Sequence, residues 1–181
     1  MRSEIVVPLL IRDLTEADLL RCGWSGSRLH LDHVARELRR DDAEYLVACA
    51  ARSGLPVGKG LIDYRKTAGA GTLGQLAVHP ALQSCGIGTA VVLAAEERIR
   101  ARGLPHAELS VEVGNPRARA LYERLGYVAY GSEPDGWDEE APDGSIRRYE
   151  TTCVLMRKPI TRTPATPARP RTAPPAPPPS G

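Results

Sequence analysis

The stretch QSCGIGTA, residues 83–90, carries two glycines around one isoleucine, between LAVHP and a long helical pattern. Glycine permits positive φ angles and lets another molecule approach the backbone closely. The first amides of a helix lack internal partners, and together with the helix dipole they form an anion site. Gly86 and Gly88 therefore predict a phosphate or pyrophosphate site, with a plain turn before a helix as the alternative.

Two common nucleotide motifs do not fit this stretch. A Walker loop ends in Gly-Lys-Ser/Thr, whereas Gly88 is followed by Thr89 and Ala90. The dinucleotide fingerprint needs a third glycine or alanine at the position that Val91 occupies. That fingerprint also follows the first strand of its domain, whereas this stretch lies in the middle of the chain. The predicted phosphate ligand therefore belongs to neither of these two classes.

A second motif is NPRARALYERLGY, residues 115–127. Asn115 is a good N-cap, Pro116 suits the first helical position, and Gly126 suits the end of the helix. Tyr122 lies on a helical stripe with Ala118, which by itself favours a core position. Its hydroxyl, with an ordinary pKa near 10, is also a suitable acid for a leaving thiolate. The residues alone leave both interpretations open.

The elements that would position these motifs alternate as β-α-α-β-β-β-α-β-α-β-β, which predicts an α/β fold with a mixed sheet and helices on both faces. Thr15 with Asp18 three residues later predicts the start of a short helix. The segment EPDGWDEEAPDG, residues 133–144, is interpreted as an acidic loop between the last two strands. Residues 1–158 form one predicted domain, and residues 159–181 form a disordered tail rich in Pro, Ala and Thr.

Charge and composition exclude several functional classes. The chain has 181 residues and a net charge of +2, but residues 161–181 hold three arginines and no acid, which leaves 21 basic against 22 acidic residues elsewhere. A nearly neutral body argues against nucleic acid as a partner. No apolar run has membrane-spanning length, and the N-terminus lacks a signal-peptide layout, so no membrane association and a cytoplasmic location are expected. Four scattered cysteines without ligand spacing predict free thiols and no metal site.

Taken together, LAVHPALQSCGIGTAVVLAAEERIRARG and LSVEVGNPRARALYERLGY resemble the GNAT family of N-acetyltransferases. The first segment resembles that family's acyl-CoA motif, and the second resembles its Asn…Leu-Tyr…Gly-Tyr motif. The two motifs occur in the family's order and together cover about a quarter of the chain. The resemblance implies the acyl-CoA N-acyltransferase fold with a mostly antiparallel central sheet. It also implies acetyl-CoA as cosubstrate, a primary amine as acceptor, and a homodimer as a frequent assembly.

The resemblance assigns roles along both motifs. The pyrophosphate of acetyl-CoA would be held by Gln83, Ser84, Cys85, Gly86, Ile87, Gly88 and Thr89. The pantetheine arm would pair with the backbone of Leu76, Ala77 and Val78, where that strand splays from ELSVEV. Asn115 would contact the pantetheine or thiol end. Tyr122 would lie near the sulfur as the general acid.

The general base is less clear. Ribosomal-protein N-terminal acetyltransferases, which resemble the chain around LAVHPALQSCGIG, carry a glutamate where this sequence has Ser110. Glu112 has the same strand parity and is the candidate base, with an exposed or ion-paired carboxylate as the alternative. Asp63 and His79 are further candidates, and a water relay needs no single base. Ser110 therefore argues against transferring the ribosomal-protein specificity.

The acceptor stays open at this stage. Small amines, amino-sugar antibiotics, protein N-termini and lysines all fit a primary amine. The acidic segment around Trp137 would attract a cationic amine, although a solvated turn is an equally simple interpretation. A non-catalytic acyl-CoA sensor or interaction module is the alternative function.

Overall fold

The computed structural model describes residues 8–141 and 143–160. Residues 161–181, which make up nearly all of the predicted disordered tail, lie outside the described residues, as do residues 1–7. The predicted domain boundary therefore stays a prediction.

One seven-stranded sheet carries the fold, with strand order β1-β2-β3-β4-β5-β7-β6. Only β4 and β5 run parallel, and every other neighbouring pair is antiparallel, which confirms the mixed, mostly antiparallel sheet. None of the helices in the two described ranges is long and apolar enough to cross a membrane. In chain order the elements are β1 (Leu9–Asp13), α1 (Glu16–Leu19), α2 (Arg28–Glu37), β2 (Ala43–Ala50), β3 (Pro56–Asp63), β4 (Ala70–Val78), α3 (Ile87–Ala101), β5 (His106–Glu112), α4 (Pro116–Arg124), β6 (Val128–Glu140) and β7 (Ile146–Pro159).

Helices cover both faces of this sheet, as the alternating pattern predicts. Successive residues of β2 show the division, because Leu46 packs into the larger core and Val47 into the core beneath α1 and α2. The larger core joins α3 and α4 to the sheet through side chains such as Val92 and Tyr122. Adjacent strand residues point to opposite faces, so a single strand supplies both cores.

Strand β4 contains a bulge that shapes the centre of the sheet. Lys59 of β3 pairs with Ala77 and Leu61 pairs with Gly74, so Gln75 and Leu76 together face one residue of β3. Gln75 takes a φ of 49°, which is uncommon for a residue other than glycine. The buried Tyr45 donates a hydrogen bond of 2.9 Å from its hydroxyl to Gln75 Oε1, which anchors the bulged residue.

The bulge coincides with the end of pairing between β4 and β5. Their parallel register runs from Ala70 opposite His106 to Leu73 opposite Leu109 and stops there. The remaining residues of β4, Gly74–Val78, keep β3 on one side but have no paired strand on the other within the described residues. A gap therefore opens between two neighbouring strands in the middle of the sheet.

The predicted acidic loop over residues 133–144 is wrong, because most of it is strand. β6 continues to Glu140, and Trp137 pairs with Tyr149 of β7 well beyond the end of β5. Proline, glycine and acidic residues have low strand propensity, which favoured a loop from the sequence. β6 is an edge strand, however, where a proline without an N–H is tolerated. The last residues of β6 and the first of β7 form a two-stranded arm, residues 134–152.

The start of α1 follows the predicted pattern and adds an ion pair. Asp18 accepts hydrogen bonds from the backbone N–H of Thr15 at 2.9 Å and from its hydroxyl at 2.7 Å. The guanidinium of Arg12 on β1 donates two more, at 2.7 and 2.8 Å. These donors hold the pKa of the buried Asp18 carboxyl well below its usual range, with the Arg12 bond as the main cause. Asp18 thus fastens the α1–α2 layer to the sheet.

Replacing Asp18 tests this attachment. Asp18→Asn should lower the free energy of unfolding at neutral pH by about 1.5 kcal/mol, because it removes a charge-assisted bidentate contact. Because folding lowers the pKa of Asp18, its contribution is complete above the ordinary value of 3.8 and is lost as the pH falls below it. Urea unfolding of both proteins should therefore differ at neutral pH and converge in acid.

The matched control is Asp13→Asn, which removes an exposed carboxylate that pairs with Arg98 on the surface. This change should cost less than about 0.5 kcal/mol. Equal losses from both substitutions, or a loss from Asp18→Asn that persists in acid, would contradict the role given to Asp18.

Candidate active site

The gap between β4 and β5 opens into a cleft of about 1130 Å³. Its walls include Gln75 and Leu76 of the bulge, Ser110 and Glu112 of β5, and Tyr122 of α4. The α1–α2 layer closes one side through residues such as His30, and the β6–β7 arm closes the other. Several predicted site residues therefore come together in one concave site, which is where small-molecule sites usually lie.

The backbone of β4 beside the gap is suited to an extended ligand. Residues 74–78 remain in strand conformation through their pairing with β3, but their opposite edge has no partner strand among the described residues. An extended amide-containing chain can pair with such an edge in the way an added strand does. Leu76, Ala77 and Val78, predicted to bind the pantetheine arm, all lie on this edge, and Leu76 also lines the cleft.

The predicted phosphate loop follows β4 and leads into the N-terminus of α3. Gly86 is the N-cap with a φ of 82°, and a methyl group built on it would meet no protein atom within 4 Å. Ala90 donates the first helical N–H bond, 3.0 Å to the carbonyl of Gly86, so the amides of Ile87, Gly88 and Thr89 precede the helical ladder. Free amides and an open approach at the start of a 15-residue helix suit an anion.

The two glycines serve different purposes in this geometry. Gly86 is required by its left-handed backbone and faces open space. At Gly88 an added methyl group would make ordinary contacts of 3.5 Å with Leu121 and 3.6 Å with Val78. The structure therefore makes Gly86 the more critical residue for the loop.

Arg117, which the sequence reasoning missed, lies beside the same loop. Its guanidinium donates to Gln83 Oε1 at 3.0 Å and to Ser84 Oγ at 2.7 Å. It projects from the first turn of α4 and brings a positive charge to the side of the proposed phosphate site. Arginine is suited to phosphate because its planar fork donates two parallel hydrogen bonds. The only sequence signal was its place directly after Asn115 and Pro116.

Tyr122 lies where the gap meets α4. It is 8% exposed, lines the cleft, and packs edge-on against Tyr127 with ring centroids 6.0 Å apart. No side chain in the described ranges hydrogen-bonds its hydroxyl. Burial raises the pKa of the Tyr122 hydroxyl above its ordinary value of 10, so the group is protonated at neutral pH. Tyr122 is thus a core residue that also forms part of the cleft wall.

Asn115 caps α4 as predicted. Its Oδ1 accepts a hydrogen bond of 3.0 Å from the backbone N–H of Ala118, and Pro116 occupies the first helical position. The residue also lines the cleft, beside Tyr122. The cap uses the side-chain oxygen, so the Nδ2 group of this lining residue is still available as a donor.

The candidate bases differ in how they are placed. Glu112 faces the cleft and accepts a hydrogen bond of 2.9 Å from the Tyr149 hydroxyl on the β6–β7 arm. Asp63 also lines the cleft but is paired with Arg40 and Arg65. His79 stacks against Trp24 and accepts a hydrogen bond from the amide of Ala81, so it caps a turn and does not line the cleft. The geometry leaves Glu112 as an available carboxylate without making it the evident base.

The rim of the cleft is acidic and partly aromatic. Trp137 and Tyr149 of the arm stack with ring centroids 4.8 Å apart, and each is more than a third exposed. Six carboxylates line the cleft against the permanent cations Arg36 and Lys66. The carboxylates are Asp63, Glu112, Asp135, Asp138, Glu139 and Glu140. Within the described part of the chain, no cluster of three or more His, Cys, Asp or Glu side chains could hold a metal ion.

Comparison with known proteins identifies a family whose members the motifs already resemble. Residues 11–127 match the acetyltransferase (GNAT) family. The chain belongs to this family. The match spans both motifs and the whole gap between β4 and β5, so the resemblance stated from the motifs is confirmed.

Individual relatives differ in how much they cover. A mycothiol acetyltransferase from Beutenbergia cavernae is 45% identical over 61 residues, which are 34% of this chain and 20% of that protein. The chain therefore matches only about a fifth of this relative's length. The ribosomal-protein-S18-alanine N-acetyltransferase from Escherichia coli superposes with a TM-score of 0.66 at 20% identity, over 87% of this chain and 97% of that one.

A further solved relative contains the ligand that the site suggests. The spermidine N-acetyltransferase from Vibrio cholerae, solved with CoA and spermine, superposes with a TM-score of 0.63 at 20% identity, over 84% of this chain and 95% of that one. Likeness at this identity establishes the fold and leaves the acceptor open. The acyl-CoA N-acyltransferase fold expected from the motifs is thereby confirmed.

The left-handed N-cap of α3 yields a binding prediction. Gly86→Ala should weaken acetyl-CoA binding at least about tenfold, or about 1.4 kcal/mol, because the added methyl projects into the open space before the free amides. Isothermal titration calorimetry on the full chain measures this directly.

The matched control is Gly69→Ala, since Gly69 also has a positive φ, 77°, and open space around it, but lies at the other end of β4. It imposes the same backbone strain away from the site and should leave acetyl-CoA affinity unchanged. Equal affinities in the two variants would mean that the loop at Gly86 is only a turn.

Arg117 yields a second binding prediction. Arg117→Ala should weaken both acetyl-CoA and CoA by about tenfold, and the loss should shrink at high salt, because the missing contact is an exposed ion pair with phosphate. Arg119→Ala removes a guanidinium two residues away that pairs with Glu123 on the helix surface, and it should have no effect. If Arg117→Ala binds like the parent, Arg117 only stabilises the loop.

Proposed function

We propose that the protein transfers the acetyl group of acetyl-CoA to a primary amine. The observation that carries this proposal is the gap between β4 and β5, where Leu76 of the open strand edge and Tyr122 line one cleft. From that edge the chain leads on to the free amides at the start of α3. Family membership supports the same reaction class. A cytoplasmic location and a homodimer remain predictions.

The residues present fit acetyl-CoA at three points. The amides of Ile87, Gly88 and Thr89 would bind the pyrophosphate, with Arg117 adding a counter-charge from the side. The free edge of β4, Leu76–Val78, would pair with the amides of the pantetheine arm. That pairing directs the arm along the gap and brings the thioester to the wall formed by α4.

At the thioester, the chain supplies an acid and polar backbone groups. A backbone N–H of Ala77 or Val78 would polarise the carbonyl as negative charge develops on its oxygen. The Tyr122 hydroxyl, protonated at neutral pH and without a competing side-chain partner, would donate its proton to the departing sulfur. Leu76 and the apolar wall beneath α3 limit water around the reacting atoms.

The lining of the cleft favours a cationic acceptor. Six carboxylates and two permanent cations line it, and two of the six, Asp63 and Asp138, pair with arginines outside the lining. The remaining excess of negative charge attracts an ammonium group and repels an anion. The exposed Trp137 ring adds a surface on which a cation can lie. We infer an acceptor with at least one positive charge besides the reacting amine, such as a polyamine or a basic peptide N-terminus.

The reaction is tested with full-length protein, acetyl-CoA and a small acceptor panel, with thiol release as the readout. The panel contains spermidine, a peptide with a free N-terminal alanine followed by arginine, and an acidic peptide of the same length. Turnover of a cationic acceptor and little turnover of the acidic peptide are expected. Acetyl-CoA binding without transfer to any acceptor would overturn the proposal and favour a non-catalytic acyl-CoA module.

Tyr122→Phe tests the acid within the same assay. It should lower kcat about 100-fold while acetyl-CoA affinity stays the same, because only the proton donor is lost. Tyr127→Phe removes the hydroxyl of the neighbouring buried tyrosine and should leave kcat unchanged. Equal rates for Tyr122→Phe and the parent would assign Tyr122 to the core alone.

A further inference from the structure

Lys59 of β3 is fully buried, yet it has no carboxylate partner in the described ranges. Its Nζ lies 3.1 Å from Nε2 of His30 on α2. Burying an ammonium without a counter-charge is unfavourable by several kcal/mol, and a well-packed apolar residue would remove that penalty. A lysine retained at such a position is therefore a candidate for function.

Lys59 and His30 lie next to the cleft, with His30 in its lining. Lys59 is opposite Ala77 in the β3–β4 register, one position from the bulge that opens the gap. Its side chain lies on the α1–α2 face of the sheet, where Nζ contacts His30, and His30 in turn lines the cleft. The His30 ring is seated against Gly26, where an added methyl group would lie 2.6 Å from the ring. Lys59 is thus connected to the cleft through the side chain of His30.

We propose that His30 and Lys59 form a proton relay that deprotonates the acceptor amine. His30 is the catalytic group, since it lines the cleft proposed to hold the acceptor, and Lys59 is a positioning residue that acts through it. The proposal rests on the proposed acetyl transfer and supplies the proton-accepting function that Glu112 did not clearly provide.

The protonation states of the pair are suited to a relay. Burial lowers the pKa of Lys59 to about 8, so a neutral lysine is accessible in mildly alkaline solution. Burial, the nearby Lys59 charge and His33 lower the pKa of His30 to about 4, so the imidazole stays neutral. A neutral imidazole can carry a proton from one ring nitrogen to the other without storing it.

The other titratable groups near Lys59 do not replace this role. Cys22 is the nearest of them, and its own pKa is raised chiefly by burial, so it is a neutral thiol at pH 7. Asp18 and Cys49 act on Cys22 rather than on Lys59. Asp18 is taken up by its hydrogen bonds with Arg12 and Thr15.

The relay step balances in protons. When Lys59 is neutral, His30 carries its proton on Nε2 and donates it toward Nζ, which leaves Nδ1 as an acceptor. The bound ammonium then transfers a proton to Nδ1 while the Nε2 proton moves to Nζ. One N–H bond breaks at the substrate and one at Nε2, and new N–H bonds form at Nδ1 and Nζ. The products are a neutral amine, a neutral imidazole in its other tautomer, and protonated Lys59.

When Lys59 is protonated, its ammonium donates to Nε2 and the imidazole proton lies on Nδ1. His30 then offers the amine a donor, which cannot accept its proton. The rate with an ammonium acceptor should therefore rise as the pH passes the pKa of Lys59, about 8.

The test compares two kinds of acceptor in full-length protein. One is the alkyl ammonium acceptor of the panel that the parent acetylates fastest. The other is hydroxylamine, which is mainly neutral at neutral pH and so needs no deprotonation before it attacks the thioester. Lys59→Met has a similar shape without the charge, and it should unfold at the same temperature as the parent or higher. It should lower kcat/KM for the ammonium acceptor by about 30-fold or more in mildly alkaline solution and abolish the rise near pH 8.

Hydroxylamine is the matched control, since its transfer should change by less than about threefold in Lys59→Met. His30→Gln, at a partly exposed position, provides a second variant and should show the same selective loss. A folded Lys59→Met that keeps the parent's pH profile overturns the relay, and so does an equal loss with both acceptors. If the parent acetylates neither acceptor, the proposed acetyl transfer itself fails and the relay with it.

Discussion

The separation of β4 from β5 after Leu73 is the constraint on which the site depends. A continuous sheet would leave no free strand edge and no space at its centre. The bulge at Gln75 accompanies this separation, and the hydrogen bond from Tyr45 holds the bulged residue in its unusual conformation. Strain of this kind is often found at functional sites, where surrounding structure keeps it in place. Here the supporting hydrogen bond comes from a side chain in the core beneath α1 and α2.

The gap between β4 and β5 also brings together functional groups from β4, α3 and α4. β4 leads directly into the loop before α3, so the free strand edge and the free helix amides are successive parts of one chain segment. α4 lies across the other end, where Tyr122 faces the cleft and Arg117 reaches back to the loop. The acceptor would enter between the α1–α2 layer and the arm. Lys59 lies close to this entrance, because Ala77, its partner in the β3–β4 register, is next to the bulge.

Much of this arrangement is readable from the sequence because the signals are local. Thr15 with Asp18, Asn115 with Pro116, and the glycines at 86 and 88 each act within one or two helical turns. Other features depend on distant contacts and carry no local signal. Gln75 reads as an ordinary strand residue, and its bulge depends on Tyr45 thirty positions earlier. Arg117 lies beside the loop only because α4 packs next to Gln83 in the folded chain. Lys59, which stands between two glycines in the sequence, is buried only because α1 and α2 pack over it.

The mistaken acidic loop has a similar explanation. Local propensity disfavours a strand through Pro134 and Gly136, but pairing with β7 over the whole arm outweighs it. The position at the sheet edge removes the usual penalty for proline. The result matters for function, because pairing with β7 fixes the positions of the acidic side chains that line the cleft, whereas an unpaired loop would not hold them there.

The most direct test of the central claim is an amide-resolved NMR titration of the full chain with CoA. Large shifts are expected for the amides of Ile87, Gly88 and Thr89, together with the free edge of β4 at Leu76–Val78. The exposed Gly69, which precedes the far end of β4, should stay unchanged. Shifts confined to other parts of the surface, with none at the start of α3, would contradict the assignment of this gap as the acetyl-CoA site.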